Sequence, residues 1–223
     1  MERPPPCWEQ KCRLERGAVF LKELKALPGR SSLRNSIAAR RTQFEQLIPR
    51  PGQFVFLGDS NIEQGAWNEW FPTLPCINRG IGGDTVNGVR LRLDSAINEP
   101  LGVFLVIGSN DVADSRGSRR VAEVADELHR LITDIKSLAP STTIFLNSVL
   151  PRSRAMSDAI RSLNERYRDL AIKTGTTYID AWSALSALDG SVRPEFTFDG
   201  HHLNGLGYRT WVDVLRPHIE SLG

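Results

Sequence analysis

A chain of 223 residues with 40% hydrophobic content and a formal net charge of +2 can bury one good core, and suits a single α/β domain better than two. No apolar run reaches the length of a membrane-spanning helix, Met1 to Pro6 lacks the apolar stretch of a secretory signal, and Cys7, Cys12 and Cys76 are too scattered for a disulfide framework or a zinc site. The expectation is a cytoplasmic protein with reduced thiols, no membrane span and no metal; its basic first 50 residues (11 Lys/Arg against 5 Asp/Glu) read as a solvated extension, with no nucleic-acid partner assigned.

Residues 1–16 are proline-rich and then charged, too poor in apolar side chains to order themselves. Gly17 to Leu27 sets Val19, Phe20, Leu24 and Leu27 at helical spacing before Pro28-Gly29. Ser31-Ser32 then offers an N-cap for a second amphipathic helix through Ile48, with Leu33, Ile37, Phe44, Leu47 and Ile48 near one stripe. Residues 1–48 are thus expected to form an extension ahead of a domain spanning 49–223. From Gln53 the pattern changes to short continuous apolar runs, as in parallel strands covered on both faces: Phe54 to Leu57, Leu101 to Ile107, Thr143 to Val149 and Thr177 to Ile179, with a weaker strand at Cys76 to Asn78. Helical patterns lie between and after them, at Thr85–Ala96, Ser118–Leu138, Met156–Thr174 and Leu206–Leu222. Strands alternating with helices imply βαβ units, right-handed crossovers and a mainly parallel, five-stranded sheet.

Ligands of open α/β sheets bind outside the carboxyl ends of the strands, and Ser60 and Asn110 each follow directly after an apolar run. A serine hydroxyl needs a base to take its proton as it attacks, and a neutral imidazole has a suitable pKa. His202 is the candidate base, with His201 beside it competing for the role, and Asp199 is close enough in sequence to orient the ring. Charge developing on an attacked carbonyl oxygen calls for fixed donors, for which the backbone N–H groups of Ser60 and Gly83 and the Asn110 amide are candidates. Each motif alone has a plainer reading: Asp59 as a helix cap, Gly82-Gly83 as a tight turn, Asn110-Asp111 as a turn tip, His202 as a core or surface histidine. Their joint occurrence, in order and at strand ends, favours the catalytic reading.

Phe56-Leu57-Gly58-Asp59-Ser60, Asn78 to Thr85, Gly108 to Asp111 and Asp199 to His202 resemble four blocks of the SGNH (GDSL-type) hydrolase family, from about Gln53 to the C-terminus. The resemblance implies a flavodoxin-like, three-layer α/β/α fold, an open active site, no metal or organic cofactor, and Ser60, Gly83, Asn110, His202 and Asp199 as catalytic residues. Asn78 to Thr85, Leu150-Pro151-Arg152 and His202 to Tyr208 are most similar to the platelet-activating-factor acetylhydrolase catalytic-subunit branch, which implies removal of a short acyl group, chiefly acetyl, from a small-molecule ester. Two positions depart from that branch: Asn61 replaces an apolar residue, and Asp111 follows Asn110 as in the lysophospholipase/thioesterase branch. A longer-chain acylhydrolase and a non-catalytic scaffold are the rival expectations. The order Ser60, Asp199, His202 without Gly-x-Ser-x-Gly argues against an ordinary α/β-hydrolase elbow.

Asp59 and Asn61, flanking the serine, together with Arg79 and Arg152, are the candidates for substrate contact, since arginine forks match phosphate and carboxylate; Arg193 is a weaker one, and surface solvation is the plainer reading of each arginine. Trp67, Trp70 and Phe71 read as core packing of the segment after Ser60 rather than as an acyl or sugar contact. Ser109 and Asp111 are expected to orient Asn110. Homo-oligomerisation is left open, because surface patches are not visible in a sequence.

Overall fold

The computed structural model describes residues 31–113 and 118–220 of the chain. The helix expected at Gly17–Leu27 lies outside the described residues. Among those described, five strands form one all-parallel sheet: β1 (Phe54–Gly58), β2 (Cys76–Gly80), β3 (Gly102–Val106), β4 (Thr143–Asn147) and β5 (Thr177–Ile179), in the order β2-β1-β3-β4-β5. This is the doubly wound, flavodoxin-like order, whose crevice opens between β1 and β3 where the winding reverses. Helices α1 (Ser31–Gln46), α2 (Ser60–Glu63), α3 (Trp67–Trp70), α4 (Val86–Arg90), α5 (Ser109–Ala113), α6 (Ser118–Leu138), α7 (Ser157–Thr174), α8 (Trp182–Leu185) and α9 (Gly205–Glu220) connect and cover the strands.

Alternation along each strand sorts its side chains onto two faces. Val55, Leu57, Val103, Leu105, Ile144 and Leu146 face one core, packed with Val121, Val124, Leu128 and Leu131 of α6 and Ile160 and Leu163 of α7. Phe54, Phe56, Phe104 and Phe145 face the other, with Trp67 of α3 and Trp211 and Leu215 of α9. Phe56, Phe104 and Phe145 are register partners on adjacent strands, so the interstrand spacing itself stacks their rings, with centroids 4.9 and 4.5 Å apart. Trp67 continues the stack on Phe56 at 4.1 Å, and burying each such ring contributes on the order of 2–3 kcal/mol of transfer free energy. Trp67 and Phe71 are therefore core, with Trp70 half-buried beside them, as the sequence reading favours.

Several expected boundaries shift for identifiable reasons. The helix expected over Thr85–Ala96 is divided. Thr85 is its N-cap, accepting the Gly88 N–H at 3.0 Å, and Arg92 leaves the helical conformation before a 3-10 turn at Leu93–Ser95. Gly108, at φ +116°, turns the chain after β3. Gly175, at φ +62°, ends α7 by donating its N–H to the carbonyls of Ala171 and Ile172. Helix α1 stops at Gln46, and Leu47 and Ile48, expected on its apolar stripe, are exposed; Ile37 and Phe44 pack against Ile81, with Ala38 partly buried beside them. Burial pushes the Cys76 thiol up to about 12, so it is protonated at neutral pH; Cys7 and Cys12 lie outside the described residues.

Candidate active site

The crevice is built from the loops after β1, β2 and β3 and the segment before α9. Strand β1 ends at Gly58, where a Cβ would fall 2.0 Å from the Val106 carbonyl oxygen, so only glycine lets β1 and β3 approach so closely at the switch point. Asp59 then caps α2: one carboxylate oxygen accepts the Asn61 N–H at 3.0 Å and the other accepts the Ser109 hydroxyl at 3.1 Å. It thereby ties the loop carrying Ser60 to the loop carrying Asn110. Burial pushes the Asp59 carboxyl up, while the Asn61 and Ser109 hydrogen bonds and the charge of Arg152 pull the other way.

Ser60 faces His202, with Oγ to Nε2 at 3.1 Å. The other ring nitrogen, Nδ1, stands 2.7 Å from Asp199 Oδ2. With the Nδ1 proton directed at the carboxylate, Nε2 carries the lone pair that faces the hydroxyl. The loop that holds both residues is locked by its own side chains. Asp199 Oδ1 accepts the N–H groups of His201 at 2.9 Å and His202 at 2.7 Å, while Thr197 Oγ1 accepts the Gly200 N–H at 3.0 Å and donates to the His202 carbonyl at 2.7 Å. Burial pushes the Asp199 carboxyl up, but hydrogen bonds from the His202 ring and from the His202 and His201 N–H groups outweigh it, and hold the carboxyl well below the usual carboxylate range. His201 has its ring 4.0 Å from that of His202, and its main-chain N–H, not its imidazole, serves the loop; between the two histidines, His202 is the one that meets Ser60. Burial, then Arg152, then His202 lower the His201 imidazole to about 4, so it is neutral at pH 7.

Close to Ser60 lies the turn Ile81-Gly82-Gly83-Asp84, closed by the Asp84 N–H on the Ile81 carbonyl at 3.1 Å. Gly83, its third residue, has φ +80°, the signature of a type II turn and the reason glycine stands there. Gly82 lies against the nucleophile, since a Cβ there would be 3.7 Å from Ser60 Cβ. Asn110, in the first turn of α5, donates one amide proton to the Asp84 carbonyl at 2.9 Å, which draws its side chain to the same turn. Among the described residues, neither the Ser60 nor the Gly83 N–H donates to a protein acceptor.

Other expected contacts fall elsewhere. Arg79 is not a crevice residue: its guanidinium is buried and donates to the carbonyls of Leu47 (2.7 Å), Ser95 (2.9 Å) and Asn78 (3.2 Å), with Phe44 beneath it. Burial, then Arg92 and Arg40, bring it down to about 10, where it remains charged at neutral pH. Asp59 and Asn61 are likewise buried; Asp59 is spent on its two donors, while Asn61 accepts the Tyr208 hydroxyl on its main-chain carbonyl at 2.7 Å and leaves its side-chain Oδ1 without a protein partner among the described residues. Arg152, by contrast, is half-buried at the site, donating to the Ser109 carbonyl at 3.2 Å and near enough to Asp59 and His201 for its charge to act on both, while Arg193 is an exposed partner of Glu195 at 3.0 Å. Ser109 is spent on Asp59, while Asp111 accepts the Val86 N–H at 3.2 Å and so caps α4.

Sequence reading missed Arg92, which underpins the turn. It pairs with Asp84 at 2.8 Å and donates to the carbonyls of Arg79 at 2.9 Å and Gly58 at 3.1 Å, with both charged side chains buried. The signal was present: Arg92 falls on the apolar stripe of Val89, Leu93 and Ala96, where a charge needs a buried partner. It missed Thr197 and Glu63 as well, neither of which belongs to the motifs. Among the described residues no group of three or more His, Cys, Asp or Glu side chains is placed to hold a metal, and no helix is long and apolar enough to cross a membrane.

A doubly wound parallel sheet with a hydrogen-bonded Ser, His and Asp at its carboxyl edge is the architecture of an α/β/α hydrolase. The chain belongs to the GDSL-like Lipase/Acylhydrolase family, whose model matches residues 56–210. It is 28% identical over 182 residues to the platelet-activating factor acetylhydrolase IB subunit beta homolog of Drosophila melanogaster, covering 75% of this chain and 77% of that one. Two solved structures are similar at 25% identity. One is a GDSL-like lipase from Bacteroides thetaiotaomicron, with a TM-score of 0.70 over 82% of this chain and 97% of that one. The other, from Streptococcus pneumonia, was solved as a candidate platelet activating factor, with a TM-score of 0.76 over 91% of this chain and 99% of that one.

Proposed function

We propose that the chain is a serine esterase that removes a short acyl group, acetyl above all, from a small-molecule ester through an acyl-serine intermediate, with residues 49–223 as the hydrolase domain. The observation that carries the reading is the continuous line from Ser60 Oγ through both nitrogens of His202 to Asp199, at 3.1 and 2.7 Å. In this reading Ser60 Oγ attacks the carbonyl carbon as His202 Nε2 takes its proton, and Asp199 stabilises the imidazolium that results. The carbonyl oxygen becomes an oxyanion that accepts from the Ser60 N–H, the Gly83 N–H and the second amide proton of Asn110. Collapse of the tetrahedral species expels the alcohol, which takes the proton from His202. Water, deprotonated by the same imidazole, then attacks the acyl-serine and releases the acid.

Support for the acetyl assignment is the likeness to the Drosophila acetylhydrolase subunit homolog, together with the Asn78 to Thr85 block. Ser60→Ala is expected to abolish turnover of p-nitrophenyl acetate with the circular dichroism spectrum unchanged; turnover that survives the substitution removes the mechanism. A series of p-nitrophenyl esters tests the acyl group. A sharp fall beyond butyrate is expected, and rates that hold or rise with longer chains turn the assignment to a longer-chain acylhydrolase.

A further inference from the structure

Glu63 is a carboxylate beside the nucleophile that the relay of Ser60, His202 and Asp199 does not use. It closes α2, and its Oε2 accepts the N–H of Gly82 at 2.8 Å. Its other oxygen pairs with Arg40 of α1 at 3.4 Å, and the same Arg40 Nε lies 3.4 Å from the Gly80 carbonyl. The backbone of Glu63 is held too: its N–H donates to the Asp59 carbonyl at 2.9 Å, and its carbonyl accepts from Asn78 Nδ2 at 3.0 Å. Phe44 and Ile37 seat α1 against Ile81, the first residue of the Gly83 turn, and the Arg40 head stands 4.9 Å over the Phe44 ring.

This arrangement has a mechanical consequence. Ser60 and Glu63 share one four-residue helix, so a hydrogen bond from Gly82 to Glu63 ties the turn to the body that carries the nucleophile. The Ile81–Gly82 peptide is then held at both ends, its carbonyl by Asp84 and its N–H by Glu63. Gly82 and Gly83 have no side chains with which to anchor themselves, and glycine has the widest backbone freedom of any residue. A displacement of about 1 Å between reacting groups can cost about 100-fold in rate, so such a loop needs an external fastening.

We propose that Glu63 is a positioning residue for the oxyanion donor at Gly83 and that Arg40 sets its carboxylate, which makes helix α1 a working part of the active site. The proposal rests on the reading of the Gly83 N–H as an oxyanion donor. Steady-state kinetics of the full chain on p-nitrophenyl acetate test it with three variants. Glu63→Gln keeps an acceptor oxygen at the same reach; Glu63→Asp keeps the charge but stops one methylene short; Glu63→Ala keeps neither. The expected kcat falls about 10- to 100-fold in the Asp and Ala variants with KM within about twofold, and stays within about threefold of the parent in Glu63→Gln. Arg40→Ala, which breaks a half-exposed pair, is expected to lower kcat by about two- to fivefold. Parental kcat in Glu63→Ala, or equal losses in the Gln and Asp variants, overturns the proposal; should the Ala variant fail to fold, the Gln and Asp pair decides alone. Asn110→Ala run in parallel separates the two layers. A large loss there beside parental rates in every Glu63 variant sinks the positioning role only, whereas parental rates in Asn110→Ala and in every Glu63 variant alike sink the oxyanion reading and the proposal with it.

Discussion

Arg92→Met is the substitution whose cost the structure defines most sharply. Arg92 and Asp84 pair at 2.8 Å with their side chains only 2% and 6% exposed, whereas Arg90 and Asp134 pair at 2.6 Å with 41% and 39% exposed. Distance alone ranks the second pair higher; burial reverses the order. Removing Arg92 leaves the Asp84 carboxylate in the interior with the Thr85 N–H at 3.1 Å as a remaining donor. Burial already pushes the Asp84 carboxyl up even with Arg92 in place, so the site cannot hold an unpaired charge cheaply. Breaking one partner of such a pair costs about 3–5 kcal/mol, while an exposed pair is worth about 0–1 kcal/mol. For a domain of this size the loss corresponds to roughly 6–20 °C in Tm. Urea unfolding followed by tryptophan fluorescence reads the difference directly, with Arg90→Ala as the exposed control. Asp84→Asn added to Arg92→Met removes the stranded charge and is expected to recover about 1–2 kcal/mol, a non-additivity that marks direct coupling. The Arg92→Met penalty should also shrink as pH falls and Asp84 takes up a proton. Stability of Arg92→Met within 1 kcal/mol of the parent, or an equal loss in Arg90→Ala, would refute the argument from burial.

Three further outcomes are expected. Asn110→Ala should lower kcat on p-nitrophenyl acetate by about 100-fold or more, as for loss of one oxyanion donor, with little change in the melting curve; a loss below tenfold counts against its role. Gly108→Ala places a Cβ 2.4 Å from Tyr167 Oη at φ +116°, so chemical denaturation should show a loss of roughly 1–3 kcal/mol from strain, and an unchanged midpoint would show that the loop yields without cost. The His201 imidazole lies at about 4 in the folded chain against an ordinary value of 6.5. Between those values the unfolded chain binds the extra proton, so His201 contributes stability above pH 6.5 that is lost as pH falls toward 4. The ring is part-exposed and solvent screening trims the effect, but His201→Gln should flatten that limb of a Tm-against-pH curve; an unaltered limb contradicts it.

The strands were legible because a parallel strand covered on both faces needs unbroken apolar residues, and Phe54 to Leu57 or Thr143 to Leu146 has no other reading of comparable quality. Chain order and the four motifs also placed Ser60, Asn110, Asp199 and His202 at strand ends or on one loop, since local chemistry of turns and caps is written within a few residues. Distances and burial were decided only in three dimensions. Arg79 looked like an anion-binding group in the glycine-rich block, yet its guanidinium is taken up by three carbonyls, the farthest along the chain being that of Leu47. Arg92, without a motif, underpins the same block. Asp59 and Asn61 sit beside the nucleophile in sequence but point into the interior, because a helix beginning at Ser60 turns successive side chains in different directions. Composition, periodicity and motif order therefore sufficed for the α/β sheet and for singling out Ser60, His202 and Asp199, which meet in the crevice. Which polar side chains reach that crevice, which are consumed in holding it, and that helix α1 rests on the Gly83 turn depended on contacts between segments tens of residues apart, and those are products of packing rather than of local sequence.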